Sequence, residues 1–66
     1  MSHIERMKEE HKELTAKISG LNMFIHSSET FKTLCDLEQA RMIKQCGFME
    51  SYANVLDTRI WVSVST

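Results

Sequence analysis

Sixty-six residues, with eight Lys/Arg against nine Asp/Glu and a formal charge of −1, make one small domain with little net charge. That balance argues against a protein that coats duplex DNA, which needs a clear basic excess to neutralise many phosphates. Two cysteines, Cys35 and Cys46, with no CxxC pair, argue against a disulfide scaffold or a zinc ribbon, so a chain this short is expected to be held together by self-association.

The first element is predicted as a helix over about residues 3–26, with Ser2 as its N-cap. Its apolar rungs are Ile4, Met7, His11, Leu14, Ile18, Leu21 and Ile25, in alternating steps of three and four. This is the spacing of a coiled-coil seam. Glu5, Arg6, Lys8, Glu9, Glu10, Lys12, Glu13 and Lys17 make the other faces polar, and Glu13 precedes Lys17 by the spacing that favours a helix ion pair.

Residues 27–36 are read as a turn, with Phe31 and Leu34 in a short helical plug. The stretch "DLEQ" reads as a capping box with Asp36 as N-cap and Gln39 three residues on. A second helix is expected over about 37–61, with rungs at Met42, Cys46, Met49, Ala53, Leu56 and Ile60. Phe48, Tyr52 and Val55 widen its apolar stripe beyond one seam, so further subunits are expected to cover it. The short tail after residue 61 either extends the helix, adds an edge strand or covers a neighbour, and Trp61 is expected to make a contact.

A short connection makes the helices antiparallel neighbours. The fold class is therefore all-α, a two-helix hairpin assembling into a homo-oligomeric bundle. A turn centred near residue 31 or 32 sets Met7 opposite Leu56, Leu14 opposite Met49 and Leu21 opposite Met42. It sets Ala16 against Gly47, two small residues suited to close backbone approach, and His11 against Tyr52. His11 then either hydrogen-bonds the Tyr52 hydroxyl within the seam or belongs to a ligand site.

No phosphate loop, HExxH or GxSxG motif is present, and no enzyme is expected. Cys46 on the seam reads as packing rather than as a nucleophile served by His11 or His26. His3, His11 and Glu10 make a poor metal set, so no metal or cofactor is expected. The candidate ligand-binding residues are His11, Lys12, Lys17, Arg41, Lys44, Gln45, Tyr52 and Arg59. The cations suit phosphates, and His11 and Tyr52 offer flat surfaces for stacking on a base. With no signal-peptide pattern and no apolar run of the roughly 20 residues that span a membrane, a cytoplasmic location is expected, with no membrane partner.

"IERMKEEHKELTAKISGLNMFI", "FKTL" and "EQARMIKQCGFMESYANVLDTRI", nearly the whole chain, resemble a family of small bacteriophage helical-hairpin proteins first catalogued in crAss-like phages. The resemblance is carried by Glu10, His11, Glu13, Leu14, Lys17, Ile18, Leu21, Phe24 and Ile25, then by Gln45, Met49, Tyr52, Leu56, Arg59 and Ile60. That family is similar in architecture to the phage anti-CBASS and anti-Thoeris sponges. The resemblance implies a homo-oligomer in the cytoplasm of an infected bacterium that sequesters a cyclic di- or trinucleotide signal without cleaving it. By the same analogy His11 takes the place of the stacking aromatic and Lys17 that of a phosphate contact. The alternatives are a helical module that docks on and inhibits a host enzyme, or a structural helical oligomer.

Overall fold

The computed structural model describes residues 2–65. They form α1 (His3–Ser27), a five-residue α2 (Glu29–Thr33) and α3 (Asp36–Ser65), and no strand occurs among them. The long helices α1 and α3 pack on each other as a hairpin 48 Å long and about 16 Å across.

Ser2 starts α1 with a full capping box. Its hydroxyl accepts from the Glu5 amide at 3.1 Å, and its own amide donates to the Glu5 carboxylate at 3.3 Å. Two of the orphan donors at the helix start are thereby satisfied. Ser28 both ends α1 and begins α2. Its amide donates to the Phe24 carbonyl, and its hydroxyl accepts from the Thr30 and Phe31 amides at 3.1 and 3.4 Å. Phe31, at the centre of α2, is buried edge-on against Phe24, ring centroids 5.9 Å apart.

The start of α3 differs from the sequence expectation. Asp36 is the first helical residue rather than the cap, because the Cys35 carbonyl already accepts the Gln39 amide. The Gln39 side chain reaches back across the turn, donating to the Phe31 and Leu34 carbonyls at 3.2 and 2.9 Å. It thus satisfies the Leu34 carbonyl and shares the Phe31 carbonyl with the Leu34 amide, and ties the first turn of α3 beside the plug.

This tie shifts the register. α3 overhangs the end of α1 by about one turn, so Asn22 meets Cys46 and Glu50, and Lys8 shares a pocket with Ile60, Trp61 and Val64. The pairings expected from a tight turn, Met7 with Leu56 and His11 with Tyr52 among them, are displaced by about one turn. Carried along both helices, the register of the Asn22–Cys46 and Lys8–Ile60 contacts sets the α1 rungs Ile4, Met7, His11, Leu14, Ile18, Leu21 and Ile25 about level with Ser63, Ile60, Leu56, Ala53, Met49, Cys46 and Met42, and the Tyr52–Glu10 bond reaches diagonally across it. His11 therefore stands level with Leu56. Ile4 has a counterpart only because α3 continues to Ser65, past the end expected at about residue 61. The expected tail is helix as far as Ser65, and Thr66 lies outside the described residues.

The core is thin. Met7, Phe31, Cys46, Ala53 and Leu56 are buried, Leu56 completely, while most other seam residues are half-buried. Gly47 does not mark a close approach of the helices. It is exposed, like Ala16, and a methyl group placed on Gly47 or Gly20 would meet nothing within 4 Å. Glycine inside a helix is disfavoured by backbone entropy. Gly20→Ala and Gly47→Ala are each expected to raise stability by about 0.5–1 kcal/mol, read as a higher urea midpoint at unchanged slope; a lowered midpoint would reveal a packed neighbour at that position.

Candidate functional site

The seam uses one face of α3. A second ladder runs along the same helix about a third of a turn away, at Leu37, Arg41, Lys44, Phe48, Tyr52, Val55, Arg59 and Val62, again in steps of three and four. Its apolar members are exposed although large: Leu37 by 59%, Phe48 by 65%, Val55 by 57%, Val62 by 59% and Tyr52 by 44%. Interleaved with them are three cations. Lone exposed hydrophobes are ordinary on a protein surface, but a continuous row of them marks an interaction face.

Around its middle this ladder forms a shallow groove of about 400 Å³ lined by Arg41, Lys44, Gln45, Phe48, Met49 and Tyr52. One Arg41 nitrogen lies 3.7 Å from the Glu38 carboxylate in an exposed pair, which screens only part of its charge. Among the described residues no carboxylate pairs with Lys44. The Gln45 amide rests 3.9 Å from the Met49 sulfur, a weak contact that leaves its hydrogen-bonding capacity largely free.

Tyr52 ties this face to α1. Its hydroxyl donates to the Glu10 carboxylate, not to His11. The bond to Glu10, partial burial and the Glu10 charge push the phenol above its ordinary range, and Arg59 on the same face pulls the other way. The Tyr52 ring is therefore fixed at the edge of the groove with one side open.

The structure thus gathers Arg41, Lys44, Gln45 and Tyr52 in one groove and places Arg59 further along the same ladder. His11 is half-buried in the seam, and Lys12 and Lys17 are exposed on α1; none of the three lines the groove. Phe48 and Met49 join the groove, although the sequence pointed to Met49 as a seam rung and to Phe48 as part of a stripe for further subunits to cover. The second ladder of three- and four-residue steps was the signal that could have found Phe48.

A second pocket, about 300 Å³, lies between the helices and gathers Asn22, His26, Cys46 and Glu50. The Cys46 thiol donates to Asn22 at 3.3 Å and to Glu50 at 3.6 Å. Burial, then the charge and hydrogen bond of Glu50, push the thiol up, the opposite of what an activated nucleophile requires. Among the described residues no three His, Cys, Asp or Glu side chains are placed to hold a metal ion, and no helix is long and apolar enough to cross a membrane.

The chain matches the Sequestin family over residues 1–62 and belongs to it. It is 37% identical over 60 residues to an uncharacterized 7.5 kDa protein from the denB–rIIB intergenic region of Enterobacteria phage T4, a match covering 91% of this chain and 92% of the phage protein. No solved structure matches it.

Because Tyr52 is the single tyrosine, its titration can be followed directly by ultraviolet absorbance. Tyrosinate is expected to form above the ordinary value of about 10, and Glu10→Gln to bring it back down. The folded-state value is raised, so the bond contributes stability below about pH 10 and that contribution is lost as pH rises through the folded value. A titration unmoved by Glu10→Gln would break the assignment. In a thiol-reagent assay at mildly alkaline pH, exposed Cys35 should react at least about tenfold faster than Cys46; equal rates would show that Cys46 is not protected.

Proposed function

We propose that this protein is a phage-type sequestering protein that binds a nucleotide signal of the infected cell, a cyclic di- or trinucleotide, and releases it unaltered. The family name speaks of sequestration, and the T4 relative is a phage protein. The observation that carries the reading is the α3 groove, where Arg41 and Lys44 stand beside Phe48 and Tyr52. Cations for phosphate and flat rings for a base, within one groove, make the minimal set for a nucleotide. A stacked base contributes about 1–3 kcal/mol, and a charge-assisted bond to a phosphate about 1.5–3 kcal/mol.

No catalytic step belongs to this reading. Binding alone starves an effector when the competitor is tighter and abundant, and every 1.4 kcal/mol is tenfold in affinity. A macrocyclic ligand suits the purpose because it loses little conformational freedom on binding. A groove as shallow as this one encloses only one side of such a ligand, so the working form is a homo-oligomer in which another copy supplies the opposite wall. The thin core and the uncovered apolar ladder support that assembly.

Docking on a host enzyme is the second reading. It is favoured by Trp61, which is 67% exposed on the side of α3 away from the groove. One measurement separates the two. Native mass spectrometry of the protein with a panel of cyclic dinucleotides, cyclic trinucleotides and ADP-ribose-derived signals is expected to show bound ligand, recovered intact on denaturation. Arg41→Ala with Lys44→Ala should weaken that binding by about tenfold or more. No binding across the panel would overturn the nucleotide reading and leave the docking module.

A further inference from the structure

The second ladder of α3 is self-complementary. Turned end for end and laid against its own copy about a two-fold axis between Phe48 and Tyr52, it brings Leu37 level with the partner's Val62 and Phe48 level with the partner's Tyr52. Lys44 comes level with the partner's Val55, and Arg41 with the partner's Arg59. Apolar positions meet at the centre and at both ends. In an isologous contact each pair occurs twice, so four aromatic rings gather around the axis, where only their sides turned toward the cations remain for a base, and arginine faces arginine on either side of it.

We infer that two copies pair antiparallel through this face, and that Arg41 and Lys44 of one copy with the partner's Arg59 form an anion clamp, two clamps per dimer. This rests on the sequestration reading above and deepens it, since each clamp is incomplete without the second copy. Glu38 beside Arg41 offsets one of the three positive charges, so each clamp keeps an excess that only a polyanion, such as a ligand with two phosphates, can neutralise. The clamps lie about 27 Å apart along the helix at 1.5 Å per residue, too far for one small ligand to bridge, so two ligands bind per dimer.

The size of the contact makes assembly depend on the anion. The ladder is about 37 Å long and a helix about 10–12 Å wide, so the two faces together cover on the order of 800 Å², below the roughly 1,200 Å² of stable interfaces. Like charges meeting within so small a contact oppose pairing. An anion that fills the clamps removes this opposition, and by linkage it draws monomers into dimers.

Sedimentation velocity tests the inference without any nucleotide. Arg59→Glu converts both arginine–arginine meetings into arginine–glutamate pairs, so it should tighten the dimer by about tenfold or more in plain buffer. Inorganic pyrophosphate should promote the dimer of the unmodified chain and not that of Arg59→Glu. Phe48→Glu should leave a helical monomer, with circular dichroism reporting that it remains folded. If Arg59→Glu assembles no better than the unmodified chain, or Phe48→Glu leaves an unmodified-like dimer, the inference falls and the ladder belongs to a foreign partner. A tightened Arg59→Glu dimer combined with no nucleotide bound across the panel would keep the interface and sink the nucleotide reading. Nucleotide binding with no response to Arg59→Glu would do the reverse.

Discussion

Two helices can meet along one line only, and α3 carries two lines of large side chains. The seam takes Met42, Cys46, Met49, Ala53, Leu56 and Ile60; the second ladder, with Phe48, Tyr52 and Val55, stays exposed and is tied to α1 through the Tyr52–Glu10 bond. Folding of small chains is a narrow balance between apolar burial and chain entropy. A hairpin with five buried side chains among its described residues has little surplus. The cost of leaving Phe48 and Val55 in water is an argument about function as much as about stability, because such a row persists on a surface when something else covers it.

Register decides what the hairpin exposes. The plug of Ser28, Phe31 and Gln39 sets it: Phe31 lies against Phe24, and Gln39 holds the carbonyls of Phe31 and Leu34. These contacts carry α3 about one turn past the end of α1. Two consequences follow at distant places. The last turns of α3, with Ile60 and Val64, are drawn alongside Lys8 instead of ending freely. Tyr52 moves out of line with His11, and its hydroxyl reaches diagonally along α1 to Glu10, which holds its ring at the rim of the groove.

The parts of the fold that depend on periodicity were legible in the sequence. The rungs of both helices could be listed from three- and four-residue steps, and Ser2 could be recognised as a cap because a serine followed three residues later by Glu5 satisfies two amides locally. What was not legible depended on choices between equally local patterns. Asp36 with Gln39 has the spacing of a capping box, but the Gln39 amide finds better-placed carbonyls across the turn. That one side chain moves the register, and with it the expected pairing of His11 with Tyr52. In the site, charge and aromatic type pointed to Arg41, Lys44, Gln45 and Tyr52, which the groove brings together. His11, Lys12 and Lys17 were put with them because type alone does not say which face of which helix a residue shares. Phe48 was read with Tyr52 and Val55 as a surface for further subunits, because an aromatic ring without a polar group does not by itself point to a ligand.

The charge balance of the chain fits a small ligand better than a polymer. Cations and anions are nearly equal in number, so the chain as a whole lacks the basic excess behind a long-range field for nucleic acid. Yet Arg41, Lys44 and Arg59 occupy one ladder of α3 that contains no carboxylate, while the acidic residues of that helix, Asp36, Glu38, Glu50 and Asp57, lie off it. Segregation of this kind leaves the total charge unchanged and makes one face locally positive. Setting the cations between apolar rungs has a further effect. Hydrophobic contact brings the rungs of two such faces together, and the cations between them lose water as they approach. Charge interactions strengthen as water is excluded, which makes an empty clamp costly and a filled one favourable. In the proposed dimer, a ladder that alternates rings and cations would therefore couple occupancy to assembly, a property that neither an apolar stripe nor a basic stripe would have alone.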